Sequence, residues 1–351
     1  MKVLVEALAA EFGGIRTYVE QLLAAWEIAY PDDELTVLVP VGSDLPTGSH
    51  RRRELAIPGP DIVARPLVHT LAIRRLVAET GADAVLATLP NTSLRHPGVP
   101  LTVVVHDLRH ELRPEQFSRG RRLVRALAYG RAYRLADHIV SVSQRSLDDL
   151  HRLHPQMTAT PSSVVHHGAD HVPQQEFRPH RGPAVAFAHH TNKNPDLVLA
   201  AWALATATGV EVPELLLVGT GSDRERLTAR AVEHGVGDQV TMAPYLDDAA
   251  FADALADASA IVFPSSFEGF GLPVLEGMLA SVPVVIGPEP ATQEVAGGWA
   301  AVAEGWSAAE LLDAVQRACA YDVQHLESAR RHAASFTWQR TVEQTRATLG
   351  R

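Results

Sequence analysis

Short apolar runs, almost free of polar alternation, recur along this chain with helix-patterned stretches between them. Strands buried on both faces of a parallel sheet read this way, because each parallel pair needs a crossover and the crossover helices cover the sheet. In the first half the runs are Val3–Val5, Thr36–Val39, Ala84–Ala87, Leu101–Val105, Ile139–Val142 and Val164–Val165. In the second they are Ala184–Ala188, Leu215–Val218, Val240–Met242, Ala260–Phe263 and Val282–Ile286. Ile15, Val19, Leu22, Leu23 and Trp26 share one face at helical spacing, and Pro31 closes that segment. Further helical stretches run from Asp196 to Ala207 and from Asp248 to Ala258, and a final helix covers roughly 338–349. The expectation is an α/β protein of two successive doubly wound units.

Length agrees, since 351 residues exceed what one core of ~250–300 residues holds. Residues 170–183 are polar, contain three prolines and have no apolar period, so the boundary is placed there. The predicted domains are 1–175 and 176–335, with a C-terminal helix in 336–351 that crosses back to the first.

The formal net charge of −10 argues against general nucleic-acid binding, which needs a broad basic surface. A small anion remains within reach of a few backbone N–H groups and one lysine. The single cysteine, Cys319, cannot form an internal disulfide, and its Ala-Cys-Ala setting reads as a small buried residue. The first apolar run reaches Glu6 after three residues, too short for a signal-peptide core, and no run approaches a membrane span. The expected location is cytoplasmic. One stretch qualifies this: Arg119, Arg121, Arg122, Arg125, Arg131 and Arg134 crowd a helical segment with Leu123, Val124 and Leu127. Most such helices are solvated and partly core-packed, but this pattern also suits peripheral contact with the inner face of a membrane or with a phosphorylated acceptor.

The segment richest in chemistry is Phe263-Pro-Ser-Ser-Phe-Glu268-Gly-Phe-Gly271-Leu-Pro-Val-Leu-Glu276. A buried strand ends at Phe263, a glycine-bearing loop follows, and Pro273 suits the first turn of a helix starting near Leu272. Gly269 and Gly271 let backbone approach a ligand closely, and N–H groups at a helix start favour anions. Glu268 stands just before the turn and Glu276 about one turn in, so both carboxylates can face one cleft and accept from a hydroxyl-rich ligand. Gly13-Gly14 follows the first strand and opens the first helix, a second amide-rich turn for a diphosphate. His106-Asp107 ends the strand Leu101–Val105, and ligands bind at carboxyl strand ends in open α/β sheets. Asp107 either orients His106 or caps a turn.

The Glu268-to-Glu276 segment resembles the Glu-x7-Glu motif of glycosyltransferase family 4, retaining enzymes of the GT-B fold. Val282-Pro-Val-Val285 and Gln293-Glu294-Val295 follow as in that family. Leu216-Leu-Val-Gly219-Thr-Gly221 looks like its second strand and loop, and Gly13-Gly14-Ile15-Arg16-Thr17-Tyr18 resembles its N-terminal glycine loop. Ser141-Val-Ser143, Gly168-Ala-Asp170 and Phe336-Thr-Trp338 are weaker matches, so the likeness covers most of the chain.

The resemblance implies two Rossmann-like domains facing across a cleft, with the acceptor on the first and the nucleotide diphosphate sugar on the second. It implies a retaining hexosyl- or glycosyltransferase with no cofactor, whose partners are that donor and a glycan, lipid-linked or small-molecule acceptor. Glu276 would hold the nucleotide ribose and Glu268 the donor sugar's hydroxyls. Amides of Phe270, Gly271 and Leu272 would meet sugar and diphosphate, Lys193 would clamp the diphosphate, and His106 would lie near the anomeric carbon. Gly219 belongs to the second loop. At the lysine loop this chain departs from the family: Ala188 replaces a glycine and no arginine precedes Lys193, leaving His189 or His190 as the second donor.

Seventeen histidines invite a metal reading, but the pairs are scattered and no His-Glu-x-x-His helix or Asp-x-Asp triplet occurs, so metal-free chemistry is expected. Two rival functions stay open, a GT-B-shaped nucleotide-sugar epimerase and a non-catalytic nucleotide-sugar-binding protein. A dinucleotide oxidoreductase fits less well, because neither glycine loop completes Gly-x-Gly-x-x-Gly.

Overall fold

The computed structural model describes residues 1–10, 13–57, 61–172 and 182–350, without the side chains of 61–63, 65 and 248. The chain divides into two compact units, one of 1–168 with 337–351 and one of 169–336. The predicted boundary at 175/176 falls among 173–181, outside the described residues.

In the first unit the order is β1 (Lys2–Glu6), α1 (Gly13–Ala29), β2 (Glu34–Pro40), β3 (Arg51–Leu55), α2 (Asp61–Thr80), β4 (Ala84–Ala87) and β5 (Leu101–Val105). Then come α3 (Arg109–Leu112), α4 (Arg119–Leu135), β6 (His138–Ser141), α5 (Gln144–Leu153) and β7 (Ser162–Val164). The sheet is wholly parallel in the order β3-β2-β1-β4-β5-β6-β7. β1, β4 and β5 lie inside it; β4 is wholly apolar, β5 carries one threonine and β1 is apolar over Val3, Leu4 and Val5, which is why their runs were legible.

β3 was not predicted. Four of its five residues are charged, and it forms the exposed edge beside β2, where charge deters further strand pairing.

The second unit contains β8 (Ala184–Phe187), α6 (Pro195–Thr208), β9 (Leu215–Val218), α7 (Arg224–Glu233), β10 (Val240–Met242), α8 (Asp248–Asp257) and β11 (Ala260–Phe263). It continues with α9 (Leu272–Leu279), β12 (Val284–Ile286), α10 (Pro290–Ala296), β13 (Ala301–Val302), α11 (Ala308–Cys319) and α12 (Val323–Ala333). Its parallel order is β10-β9-β8-β11-β12-β13. β13, two residues long, is too short to announce itself in a sequence.

Both sheets reverse direction of winding once, between β1 and β4 and between β8 and β11. Loops leaving neighbouring strands at such a switch point diverge to opposite faces and open a crevice at the carboxyl edge.

α13 (Trp338–Arg346) belongs to the first unit and packs on α1. Its Arg346 guanidinium donates to both oxygens of Asp33, at 2.6 and 3.0 Å. Burial pulls the Asp33 carboxyl upward, but hydrogen bonds from Arg346, the amino terminus and Trp26 prevail and hold it well below the usual carboxylate range.

Cys319 corrects the sequence reading. It is exposed, one residue past the buried face of α11 formed by Leu311, Val315 and Ala318. A helix turns about 100° per residue, so a small neighbour says little about which side faces in. Among the described residues, no helix is long and apolar enough to cross a membrane.

Candidate functional site

At the switch point of the second sheet, two loops leave the carboxyl ends of β8 and β11 and lock onto each other. Ser266 N donates to Asn192 O at 2.7 Å, and Asn194 Nδ2 donates to Pro264 O at 2.9 Å. Asn194 adopts the left-handed conformation (φ 53°) just before α6, which begins with Pro195. Asparagine enters that conformation more readily than most residues, and here its amide is spent on Pro264 O across the junction.

Lys193 and Glu268 meet inside this junction. Lys193 Nζ lies 2.6 Å from Glu268 Oε1 and 4.4 Å from the centre of the Phe263 ring. The side chains are 8% and 15% exposed, so the pair is shielded from water and its attraction far exceeds that of a surface bridge. Two neutral donors reach the same oxygen: Asn192 Nδ2 at 3.2 Å, and Ser265 Oγ. Asn192 also donates to Phe267 O at 2.8 Å. Asn192 and Ser265 therefore fix the Glu268 carboxylate by contacts that do not depend on the lysine.

After Glu268 the chain turns through Gly271, whose φ of 103° is open to glycine and strained for other residues. A Cβ there would lie 3.0 Å from Thr292 Cγ2. α9 then starts at Leu272 with Pro273 in its first turn, so its leading amides lie beside the loop that carries Glu268. Phe270 is buried against Phe336. Glu276, in the fifth position of α9, is also buried, and His171 Nε2 stands 3.5 Å from its Oε1. Gly219 follows β9 with φ 75° and lies against the backbone and Cβ of His189. His189 and His190 are exposed.

The first unit carries the other predicted residues. Gly13 has φ 63°, and no described atom lies within 4 Å of a Cβ added at Gly13 or Gly14. The start of α1 is thus uncovered on that side, and Gly14 is not required by packing among the described residues. Asp107 caps a turn, accepting from Arg109 N at 2.8 Å. His106 is buried, and its Nε2 donates to Thr88 O at 3.0 Å, which leaves Nδ1 the unprotonated nitrogen of a neutral ring. Tyr18 stands edge-on to it at 4.9 Å. Burial lowers the His106 pKa, against smaller upward pulls from the Thr88 carbonyl and Asp107.

Several residues of these two places were missed. Asn192 and Ser265 lie within the quoted motifs, but their roles arise between loops. Glu6 ends β1, fully buried with His69 Nδ1 at 3.6 Å and Thr92 Oγ1 donating to its Oε2. Burial raises the Glu6 pKa, opposed by His69 and Thr92. Glu6 appeared in the sequence only as the end of an apolar run. Among the described residues, no three His, Cys, Asp or Glu side chains form a group that could hold a metal ion.

Residues 12–172 match the family profile described as Glycosyltransferase Family 4, and residues 174–333 match that of Glycosyl transferases group 1. D-inositol 3-phosphate glycosyltransferase 1 of Catenulispora acidiphila is 26% identical over 225 residues, 59% of this chain and 53% of its own length. The D-inositol 3-phosphate glycosyltransferase of Segniliparus rotundus is 33% identical over 168 residues, 43% of this chain and 35% of its length. The matched regions thus span about half or less of these curated relatives. Among solved structures, sucrose-phosphate synthase from Thermosynechococcus elongatus superposes with a TM-score of 0.80 at 18% identity, over 99% of this chain and 98% of that one. Anabaena HepE, in complex with UDP and glucose, superposes with a TM-score of 0.73 at 16% identity, over 99% of each chain. These likenesses establish the fold as GT-B.

Proposed function

This chain belongs to glycosyltransferase family 4, and from that premise we propose that it moves a sugar from a nucleotide diphosphate sugar to an acceptor hydroxyl with retention of anomeric configuration. The observation that carries the reading is the buried Lys193–Glu268 pair at the β8/β11 switch point, beside the start of α9. Cation, carboxylate and leading helix amides in one place match the three needs of a sugar diphosphate.

Glu268 accepts from the donor sugar's hydroxyls while Asn192 and Ser265 keep its carboxylate in place. Lys193, with three N–H donors, turns toward the diphosphate, and amides at Phe270, Gly271 and Leu272 complete the anion's shell. Glu276 accepts from the nucleotide ribose. Gly219, and His190 in the place of the absent arginine, belong to the same binding loops. As the bond between the anomeric carbon and the diphosphate breaks, negative charge grows on the leaving phosphate, and preorganised donors stabilise it. The acceptor oxygen bonds to the same face of that carbon, and its proton passes to a leaving phosphate oxygen. The products are the glycoside and a nucleoside diphosphate. No metal or cofactor is assigned a step.

The first unit is assigned to the acceptor. Gly13 and Gly14 are assigned to an anionic group, and neutral His106 to the reacting sugar. Curated relatives are named for inositol phosphate and phosphatidylinositol mannoside substrates, so a polyol or glycolipid acceptor is the first class to test. The location proposed with this reading is cytoplasmic.

The deciding experiment screens UDP-, GDP-, ADP- and dTDP-sugars for thermal stabilisation, then measures nucleotide release with and without candidate acceptors. Acceptor-dependent release supports transfer. Turnover of the donor without acceptor would identify an epimerase or hydrolase, and binding without release under every acceptor would leave only a binding protein.

A further inference from the structure

The two carboxylates of the Glu-x7-Glu segment are held in different ways. Glu268 takes Lys193, Asn192 and Ser265 on a single oxygen. Glu276 faces His171, whose Nε2 stands 3.5 Å from Oε1, and among the described residues its carboxylate has no other partner. The two side chains are 16% and 11% exposed, so water competes little for this contact. The imidazole reaches it from a tight turn: Val172 N donates to Ala169 O at 3.1 Å, which puts His171 at the third position of a β-turn. Ala169 is buried, and its N–H donates to Phe336 O at 3.0 Å. The Phe336 ring packs on Phe270, in the loop that leads into α9. The turn that presents His171 is thus anchored to the same loop that starts the helix carrying Glu276.

We propose that His171 is a positioning residue for Glu276, setting its carboxylate for the ribose of a nucleoside diphosphate. This role rests on the assignment of Glu276 to the ribose under the proposed function. A glutamate side chain samples several rotamers, and fixing one before the ligand arrives lowers the cost of binding. With the ring charged, or neutral with its proton on Nε2, the atom that faces Oε1 is a donor. Each carboxylate oxygen has two acceptor sites, so a donor on Oε1 leaves the other oxygen whole for ribose hydroxyls. Glu268 needs no such help, since three donors already converge on it, whereas the orientation of Glu276 hangs on one imidazole.

The test is calorimetric titration of UDP, GDP, ADP and dTDP into the full chain, continued with whichever binds most tightly. His171→Leu should weaken that nucleotide about tenfold, the worth of one hydrogen bond to a charged group. His171→Gln, which keeps an N–H donor on a side chain of similar reach, should restore most of the loss. In a Glu276→Ala background the step from His171 to leucine should cost less than about twofold, because the group it orients is gone. A purely structural turn would instead weaken binding equally in both backgrounds, with no rescue by glutamine. That result, or wild-type affinity in His171→Leu, would overturn the proposal and leave the donor reading standing. Wild-type affinity in Glu276→Ala, or no binding of any of the four nucleotides to the unaltered chain, would remove the ribose assignment itself and this role with it.

Discussion

Lys193 Nζ and Glu268 Oε1 lie 2.6 Å apart although the residues are 75 positions apart in the chain. The lysine is held mainly by this one carboxylate, whereas the carboxylate oxygen also takes Asn192 and Ser265. Under the proposed function, donor binding would ask the lysine to move or to share, and would leave the glutamate supported.

Lys193→Met should separate the two roles of the lysine. It strands a largely buried carboxylate, so stability should fall by about 3 kcal/mol in urea unfolding. Adding Glu268→Gln should recover part of that loss, because the stranded charge is gone. Turnover should fall about 100-fold or more in both proteins, through loss of charge stabilisation at the leaving group. Wild-type turnover in Lys193→Met would remove the clamp assignment.

Ser265→Ala deletes a neutral donor to Glu268 and leaves the lysine in place. The cost to stability should be about 1 kcal/mol. Because Glu268 is assigned to the sugar, the variant should bind the nucleoside diphosphate of its donor nearly as the wild type does and the intact donor sugar more weakly, a difference calorimetry would read. Equal weakening of both ligands would show that Ser265 supports only the loop.

Gly271→Ala and Gly277→Ala probe two different demands for glycine. At Gly271 the positive φ is strained for alanine, at about 1–3 kcal/mol, and the turn before α9 must shift. At Gly277 a Cβ would lie 2.8 Å from Ile261 and 2.9 Å from Val284, forcing α9 away from its strands at about 1–3 kcal/mol. Thermal melts should show both losses, and nucleotide binding should suffer more per unit of stability in Gly271→Ala. Two melts that match the wild type would refute the packing argument.

Two buried groups should leave opposite marks on stability against pH. His106 titrates lower folded than unfolded, so its contribution is present above about pH 6.5 and fades as pH falls through the folded value. His106→Gln should therefore lose less stability than the wild type between pH 7.5 and about 5.5. Glu6 titrates higher folded than unfolded, so its contribution is present below about pH 4.5 and fades as pH rises through the folded value. Glu6→Gln should gain on the wild type at neutral pH, with the gap closing in acid. Parallel curves for wild type and variants would contradict both assignments.

Activity should persist in EDTA, since every charge-neutralising role proposed belongs to Lys193 or to backbone amides. Complete loss that a divalent ion restores would place a metal on the diphosphate.

The paired α/β halves were open to the sequence because each interior strand is a run of apolar residues and each helix repeats its own period. The turn at Gly271, the strand–loop–helix around it and the family likeness were equally local, carried by residues a few positions apart. Cys319 was misread and β3 missed for the complementary reason: which side of a helix faces inward, and which strand becomes an edge, depend on neighbours far along the chain. Only the folded sheet, by setting β8 beside β11, decided that Asn192 and Lys193 meet Ser265 and Glu268. Hydrophobic periodicity fixes the interior elements, but the pairing of buried polar groups is settled by strand order, and strand order is not written in local spacing.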